Sequence, residues 1–259
     1  MTTRSRSLPA VAALLLLAGC GGGWGELQRL DLTRPGPTAV ELDAMRAFEA
    51  AEGRVNTYRR WLNGKEDGLT SRTLLVAPEN PEQWLGFDNR TGWVDFVLVP
   101  DRGIAIAGAH SERFNRSVIV DEPVLLAPRA MPQEQRFDST TTFRARRDGK
   151  ESTGELRFAT WFAGFDDAET ELGLLERCVR VDSEGALDIG FGLTVAFRLR
   201  QWLHPDYGEV VRDADGSARF AGVPLREFTA RQVIVGSERA TDAQRLELLE
   251  RTRVLPGGS

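Results

Sequence analysis

The feature that most limits what this chain can fold into is a succession of short alternating segments, each cut off from the next by a turn signal. Thr73 to Ala77, Trp93 to Val99, Ile104 to Ala107 and Ser117 to Val120 are rich in β-branched or aromatic residues. Pro100-Asp101-Arg102-Gly103 separates Val97-Leu98-Val99 from Ile104-Ala105-Ile106 and reads as a hairpin turn. Phe137 to Arg146 and Ser152 to Phe162 flank Asp148-Gly149, which suits a type I′ turn. Arg177 to Val181 reads as turning through Asp182-Ser183-Glu184-Gly185 into a long strand ending near Trp202. Val210-Val211 reads as turning through Asp213-Ala214-Asp215-Gly216 into Ala218 to Ala221, and Phe228 to Val235 gives a last strand. Local antiparallel pairs in sequence, with no helix between them, imply a meander and exclude a doubly wound parallel sheet.

The strands have distinct faces. Leu156, Phe158, Thr160 and Phe162 share one side, and Arg157, Ala159 and Trp161 the other. Likewise Leu193, Val195, Phe197 and Leu199 alternate with Thr194, Ala196, Arg198 and Arg200. One protected face and one wet face predict a single curved sheet. Thr38 and Glu41 have capping-box spacing, and Leu42, Met45 and Phe48 recur every three residues, so a helix is expected over 39–51. Val55, Tyr58 and Trp61/Leu62 would extend its face past Gly53. Thr241 and Gln244 repeat the spacing ahead of Ala243, Leu246 and Leu249, which predicts a helix over 242–252. The expected architecture is α+β, mainly antiparallel sheet, a curved half-barrel with helices near both ends, forming one domain over 38–259.

The N-terminus carries an address. Arg4 and Arg6 precede an apolar run from Leu8 to Leu17, and no acidic residue occurs before Glu26. The run is too short for a bilayer span, which needs ~20 apolar residues. Leu17-Ala18-Gly19-Cys20 resembles the lipobox of bacterial lipoproteins. That resemblance implies a signal peptide over 1–19, cleavage before Cys20 and lipid on its thiol. Residues 20–37, opening with Gly21-Gly22-Gly23, read as a flexible tether. Gly21 is not the aspartate that retains many such proteins at the inner membrane, so the periplasmic face of the outer membrane is the favoured location.

Cleavage would remove Arg4 and Arg6 and shift the formal charge of -5 to about -7. An acidic domain offers no footprint for nucleic acid. With Cys20 lipidated, Cys178 has no disulfide partner and reads as a small buried hydrophobe, a reactive thiol being the alternative. No Gly-x-Ser-x-Gly elbow or Ser-x-x-Lys set is present. His110 and His204 are the only histidines, and nothing beside them in sequence completes a triad. Asp213-Ala214-Asp215-Gly216 begins like a calcium loop but lacks its later ligands, and Asp166 to Glu171 reads as a solvated acidic loop. No catalytic residue, metal ligand or cofactor is assigned. Trp84, Trp93, Trp161 and Trp202 lie in or beside strands, where core packing competes with an aromatic line for an acyl chain or sugar.

Three segments carry a further resemblance. Val124-Leu125-Leu126-Ala127-Pro128, Leu174-Leu175-Glu176-Arg177-Cys178-Val179-Arg180-Val181 and Trp202-Leu203-His204-Pro205-Asp206-Tyr207-Gly208-Glu209-Val210-Val211 look like stretches of the TapB-like envelope proteins, over residues 120–236. Asp206 stands where that group usually has glycine. The group is distantly similar to the half-open barrels of lipoprotein carriers, in which a curved sheet wraps a helix around an apolar cavity. The resemblance transfers no catalytic residue. Independently of it, Pro205 removes a ladder donor and Gly208 permits positive φ, so the chain should reverse there. The expected function is a non-catalytic, membrane-anchored envelope lipoprotein that binds an apolar ligand or a protein partner. The competing expectations are an envelope hydrolase with a site assembled in space and a structural assembly factor.

Overall fold

The computed structural model describes residues 44–90, 92–99, 102–111, 115–128, 136–147, 150–189 and 192–253. The expected signal peptide, Cys20 and the expected tether fall outside the described residues, as do Pro100-Asp101 and Asp148-Gly149. Helix α1 (Ala44–Ala51) is followed by β1 (Arg54–Leu62), β2 (Lys65–Ala77), β3 (Asn80–Asp88), β4 (Gly92–Val99), β5 (Gly103–Ser111) and β6 (Arg116–Pro128). Then come β7 (Arg136–Arg147), β8 (Lys150–Thr170), β9 (Gly173–Asp188), β10 (Leu193–His204), β11 (Gly208–Phe220), β12 (Val223–Arg239) and helix α2 (Asp242–Arg253). Each strand pairs antiparallel with the next, and β12 returns to pair with β1, from Arg54 opposite Arg239 to Leu62 opposite Ala230. The meander is as expected; the α+β half-barrel is not. The protein is a closed, twelve-stranded, up-and-down barrel with two short helices.

Two misread stretches explain the difference. The first is 54–62, where the apolar positions had seemed to prolong the helix. Gly53 adopts φ +65° and ends α1, and Val55, Tyr58, Trp61 and Leu62 continue as β1. Read as helix, this stretch leaves the sheet open; as strand, it closes it. Asn63 and Gly64, both at positive φ, then turn the chain into β2.

The second concerns glycine. Asp182 to Gly185 and Asp213 to Gly216 lie inside β9 and β11 and are not turns. The ladder registers Phe158 with Gly185, Gly185 with Phe197, Phe197 with Gly216 and Gly216 with Phe228. Each ring lies over bare backbone: a Cβ at Gly185 would sit 2.3 Å from Cζ of Phe197, and one at Gly216 2.4 Å from Cζ of Phe228. These glycines are needed for close approach of an aromatic ring, not for positive φ. The neighbouring aspartates face outward in a second row, Trp161–Asp182–Arg200–Asp213–Arg231, where opposite charges alternate across strands. Arg231 Nη1 lies 3.1 Å from Asp213 Oδ2.

Most of the interior is apolar. Val94, Ile104, Val118, Leu126, Phe143, Leu156, Phe158, Phe162, Leu187, Val195 and Leu199 belong to one buried cluster. The outward faces of β7 to β12 carry arginine, aspartate, glutamate and threonine, the reverse of a lipid-facing wall. No helix of the described residues is long and apolar enough to cross a membrane. Two external pieces cover apolar parts of the wall. Leu248 and Leu249 of α2 pack on Leu75, Leu85, Phe87 and Trp93. The capping box forms as expected, with Gln244 N donating to Thr241 Oγ1 and Thr241 N to Gln244 Oε1, although Leu246 of the expected apolar face is exposed.

The far end of the β8–β9 hairpin folds back over the outside of β10, β11, β12 and β1. Ala168, Leu175 and Cys178 cluster with Trp202, Val211 and Val233, and Trp202 Nε1 donates to Asp166 Oδ2 at 3.2 Å. Glu171 Oε1 reaches Arg59 Nε at 2.7 Å. The acidic stretch from Asp166 is therefore the end of β8 and part of a clasp, not a solvated loop. Cys178 is buried under it, and burial pushes its thiol up to about 12, as fits the unreactive reading.

The glycine row gives a direct test. Gly185→Ala should cost about 1–3 kcal/mol by overpacking against Phe197. In urea denaturation, combining it with Phe197→Leu should cost less than the two single losses added together. Strict additivity would show that the ring does not set the requirement for glycine.

Candidate functional site

Inside the barrel, helix α1 contacts β11, β10, β5 and β2, strands on different sides of the ring. It therefore lies across the lumen. Ala47 is buried, and Phe48 makes edge contacts with Trp84 (6.4 Å between centroids) and Phe96 (5.7 Å). Gly208, at φ +78°, lets the β10–β11 turn approach the helix: a Cβ there would lie 2.6 Å from Ala51 Cβ. The reversal expected at Pro205 and Gly208 thus forms, and it also seats α1.

Beneath α1 lies a cavity of about 110 Å³. Its apolar wall includes Phe48, Leu74, Val94, Phe96, Leu126 and Leu203. Its other wall is charged. Arg72 Nη1 donates to Glu209 Oε1 at 2.6 Å, Nε to Asp88 Oδ2 at 3.3 Å and Nη2 to Gln232 Oε1. Arg212 donates to Glu209 Oε2 through Nε at 2.9 Å and Nη2 at 2.5 Å, and Gln201 Nε2 donates to the same oxygen at 2.5 Å. Tyr58 OH donates to the Glu209 carbonyl at 2.8 Å, and Arg72 lies over its ring, 5.2 Å from the centroid.

Burial alone would raise the Glu209 carboxyl, but the guanidiniums of Arg212 and Arg72 and their hydrogen bonds outweigh it and hold the group below the usual carboxylate range. Burial likewise works against charge on Arg72, and Glu209 and Asp88 more than restore it. For Arg212, burial and then the neighbouring Arg72 lower the pKa despite Glu209. Tyr58 is pushed up to about 12, chiefly by burial and then by Glu209. With two guanidiniums facing Glu209 and Asp88, the cluster is close to neutral and internally satisfied.

The residues weighed from sequence end up apart. His110 is on the cavity wall, stacked on Trp93 at 4.4 Å. His204 ends β10, stacks on Tyr207 at 5.4 Å, and its Nδ1 accepts from Asp206 N at 3.2 Å. Burial pulls its pKa down against the opposing pull of the exposed Asp206. The Asp95 carboxyl is raised to about 6 by burial, but it alternates along β4 with Val94 and Phe96 and so faces away from the cavity they line. Among the described residues no His, Cys, Asp and Glu group is placed to hold a metal ion. Trp84, Trp93 and Trp202 are buried and Trp161 lies under Arg136, with 5.5 Å between guanidinium and ring centroid.

No protein-family model matches this chain, and no curated protein sequence matches it. Solved structures similar to it include the following three. One, from Bacteroides fragilis NCTC 9343, is described as an exported protein with a YmcC-like fold; identity is 15% and the TM-score 0.43, over 73% of this chain and 96% of that one. A lipoprotein from Parabacteroides distasonis ATCC 8503 gives 11% identity and a TM-score of 0.39, over 72% and 95%. The lipoprotein YmcC from Escherichia coli K12 gives 12% and 0.38, over 74% and 89%. The expected likeness of residues 120–236 to TapB-like proteins is not among these findings.

The sequence reading missed Arg72, Glu209, Arg212, Gln201 and Gln232. A signal was present for some of them: Gln201 falls on the apolar face of β10, between Leu199 and Leu203. A polar residue at an inward position of a barrel strand needs buried partners. Glu209→Gln should destabilise the fold by about 3–5 kcal/mol, because it removes the carboxylate that two buried guanidiniums share. Replacing Arg72 and Glu209 together by Met and Leu should recover part of that loss in thermal unfolding.

The cluster also sets an acid limit. Glu209 titrates lower in the folded than in the unfolded protein, so its contribution is complete above the unfolded value of about 4.3 and is lost as pH falls through the lower folded value. Unfolding free energy measured from neutral pH downward should decline less steeply for Glu209→Gln than for the parent. Parallel curves would count against Glu209 as a source of the acid sensitivity.

Proposed function

We propose that the protein is an envelope lipoprotein, anchored through lipid on Cys20, whose barrel binds the end of an apolar or amphiphilic ligand rather than catalysing a reaction. The observation that carries this reading is the site beneath α1: an apolar wall and a neutral, mutually satisfied charged wall meet in one cavity, covered by a short helix. Charges that satisfy one another suit recognition of a polar head at the end of an apolar chain better than proton transfer, which needs a group poised to change its charge.

The cavity is smaller than the ~300–1,000 Å³ of typical small-molecule sites, so a larger ligand requires α1 to move. Eight residues are too few for a helix to be stable by itself, so packing holds α1 in place. Native mass spectrometry of the protein taken from membranes should detect a bound lipid or other apolar molecule. Phe48→Ala should increase uptake of anilinonaphthalene sulfonate, read as fluorescence, with the barrel still folded. Apo protein throughout, with no uptake by the parent or the variant, would sink the proposal in favour of a protein partner.

A further inference from the structure

The end of the barrel away from α1 carries a second feature, independent of the cavity. Six successive residues, Phe220-Ala221-Gly222-Val223-Pro224-Leu225, contain no polar side chain and form the β11–β12 turn. Phe220, Val223 and Leu225 are 51%, 63% and 52% exposed, the densest group of exposed large apolar side chains among the described residues. A solvent-exposed two-residue turn ordinarily favours Asn, Asp or Gly. Here Ala221 takes φ +48° and Gly222 φ +82°, and Ala221 N donates to the Gly192 carbonyl at 2.8 Å, so the tip is held against the neighbouring β9–β10 turn.

Its flanks are basic. Arg219 and Arg226 bracket the apolar six, both exposed, and neither forms an ion pair among the described residues. Most other arginines on the barrel lie beside a carboxylate. At the same end the β7–β8 hairpin carries Arg146 and Lys150, and the β1–β2 hairpin carries Lys65. The carboxylates at this end are Glu66 and Asp67, paired with Arg59, Arg60 and Arg90, Glu155, paired with Arg157, and Glu151, Asp188 and Glu227. In a chain of net charge -5, a basic rim around an apolar point is a local arrangement and not a consequence of composition.

We propose that the β11–β12 turn is a membrane-contacting tip, with Phe220, Val223 and Leu225 entering the interface of an anionic lipid surface and Arg219 and Arg226 meeting its phosphates. Apolar side chains at headgroup depth with cations just behind them are the pattern of interfacial attachment. A binding surface for a folded protein partner would instead require shape complementarity over a wider face, and this point is a single hairpin turn. The tip and the anchor are compatible in reach. Cys20 to Asp43 spans at most ~80 Å when extended, whereas the 13 residues of β11 cover ~43 Å. The lipid anchor would fix the protein to the membrane, and the tip would orient it.

The test uses the full lipidated protein reconstituted in vesicles of phosphatidylethanolamine and phosphatidylglycerol. An environment-sensitive fluorophore is placed at Val223→Cys or, as a control, at Glu176→Cys on the β8–β9 hairpin. Cys178 is buried and does not compete for the label. Lipid-borne spin labels should quench position 223 but not 176. Arg219→Gln and Arg226→Gln should each lower the inserted fraction roughly five-fold, as should high salt or all-phosphatidylcholine vesicles to a comparable extent. Position 223 remaining as water-exposed as 176 overturns the tip. So does emission that follows protein density rather than lipid charge, since it would indicate docking onto a second copy. Vesicle flotation reads the Cys20 anchor separately: protein that fails to float refutes the anchor, and protein that floats with a wet tip refutes only the tip.

Discussion

The pairing of β1 with β12 is the constraint on which the rest of the structure depends. An open sheet of twelve strands would leave two unpaired edges, each a template for pairing with another chain. Closure removes both, and it sets the positions of the charged cluster. Arg72 is on β2, Gln232 on β12 and Glu209 at the start of β11, on either side of the seam. The Arg72–Glu209 contact exists only when the first and last parts of the chain have met. Buried ion pairs contribute little net stability but are costly to leave half-made, so this contact favours one register of closure over slipped alternatives.

Sheet curvature on one side of the barrel has a visible origin in the sequence. Across β8 to β12 the alternation of Phe158, Gly185, Phe197, Gly216 and Phe228 places large rings over bare backbone. The wall can then bend with each ring seated over a glycine. Outside the same strands, the Asp182–Arg200–Asp213–Arg231 row keeps the surface wet. Where the outer face is apolar instead, at β2 to β4 and at β10 to β1, α2 and the folded-back β8–β9 hairpin cover it. Along β7 to β12 the outer wall is therefore charged or covered, and the exposed apolar side chains of that half gather at the hairpin ends.

Much of the strand succession was legible because its signal is local. The period-two pattern of Leu193 to Arg200, the capping box at Thr241 and the reversal at Pro205 each need only a few neighbouring residues. The errors arose where a residue's meaning depended on a strand far away in sequence. Asp-x-x-Gly at 182–185 and 213–216 has turn composition, and only the presence of Phe197 and Phe228 on the adjoining strands makes glycine a packing residue there. Tyr58 and Trp61 fit a helical period by spacing, and only β12, more than 160 residues later, makes them strand. The candidate site is the extreme case. Arg72, Glu209 and Arg212 are unremarkable charged residues in sequence, and their cluster is a product of closure.

This dependence bears on how the interior can change. The wall is a continuous ladder in which every strand is bonded on both sides, so widening it would break many hydrogen bonds at once. Helix α1 has no such ladder. It is held in the lumen by Phe48 against Trp84 and Phe96 and by its contact with Gly208, and its N-terminal side leads toward Cys20. Displacing it would expose the apolar wall and the Arg72–Glu209–Arg212 cluster while leaving the barrel closed. Of the elements that line the cavity, α1 is the one held by side-chain packing without a ladder. The charged wall, fixed by the seam, would keep its geometry whether α1 is seated or withdrawn, which is what a preorganised site beneath a movable cover requires.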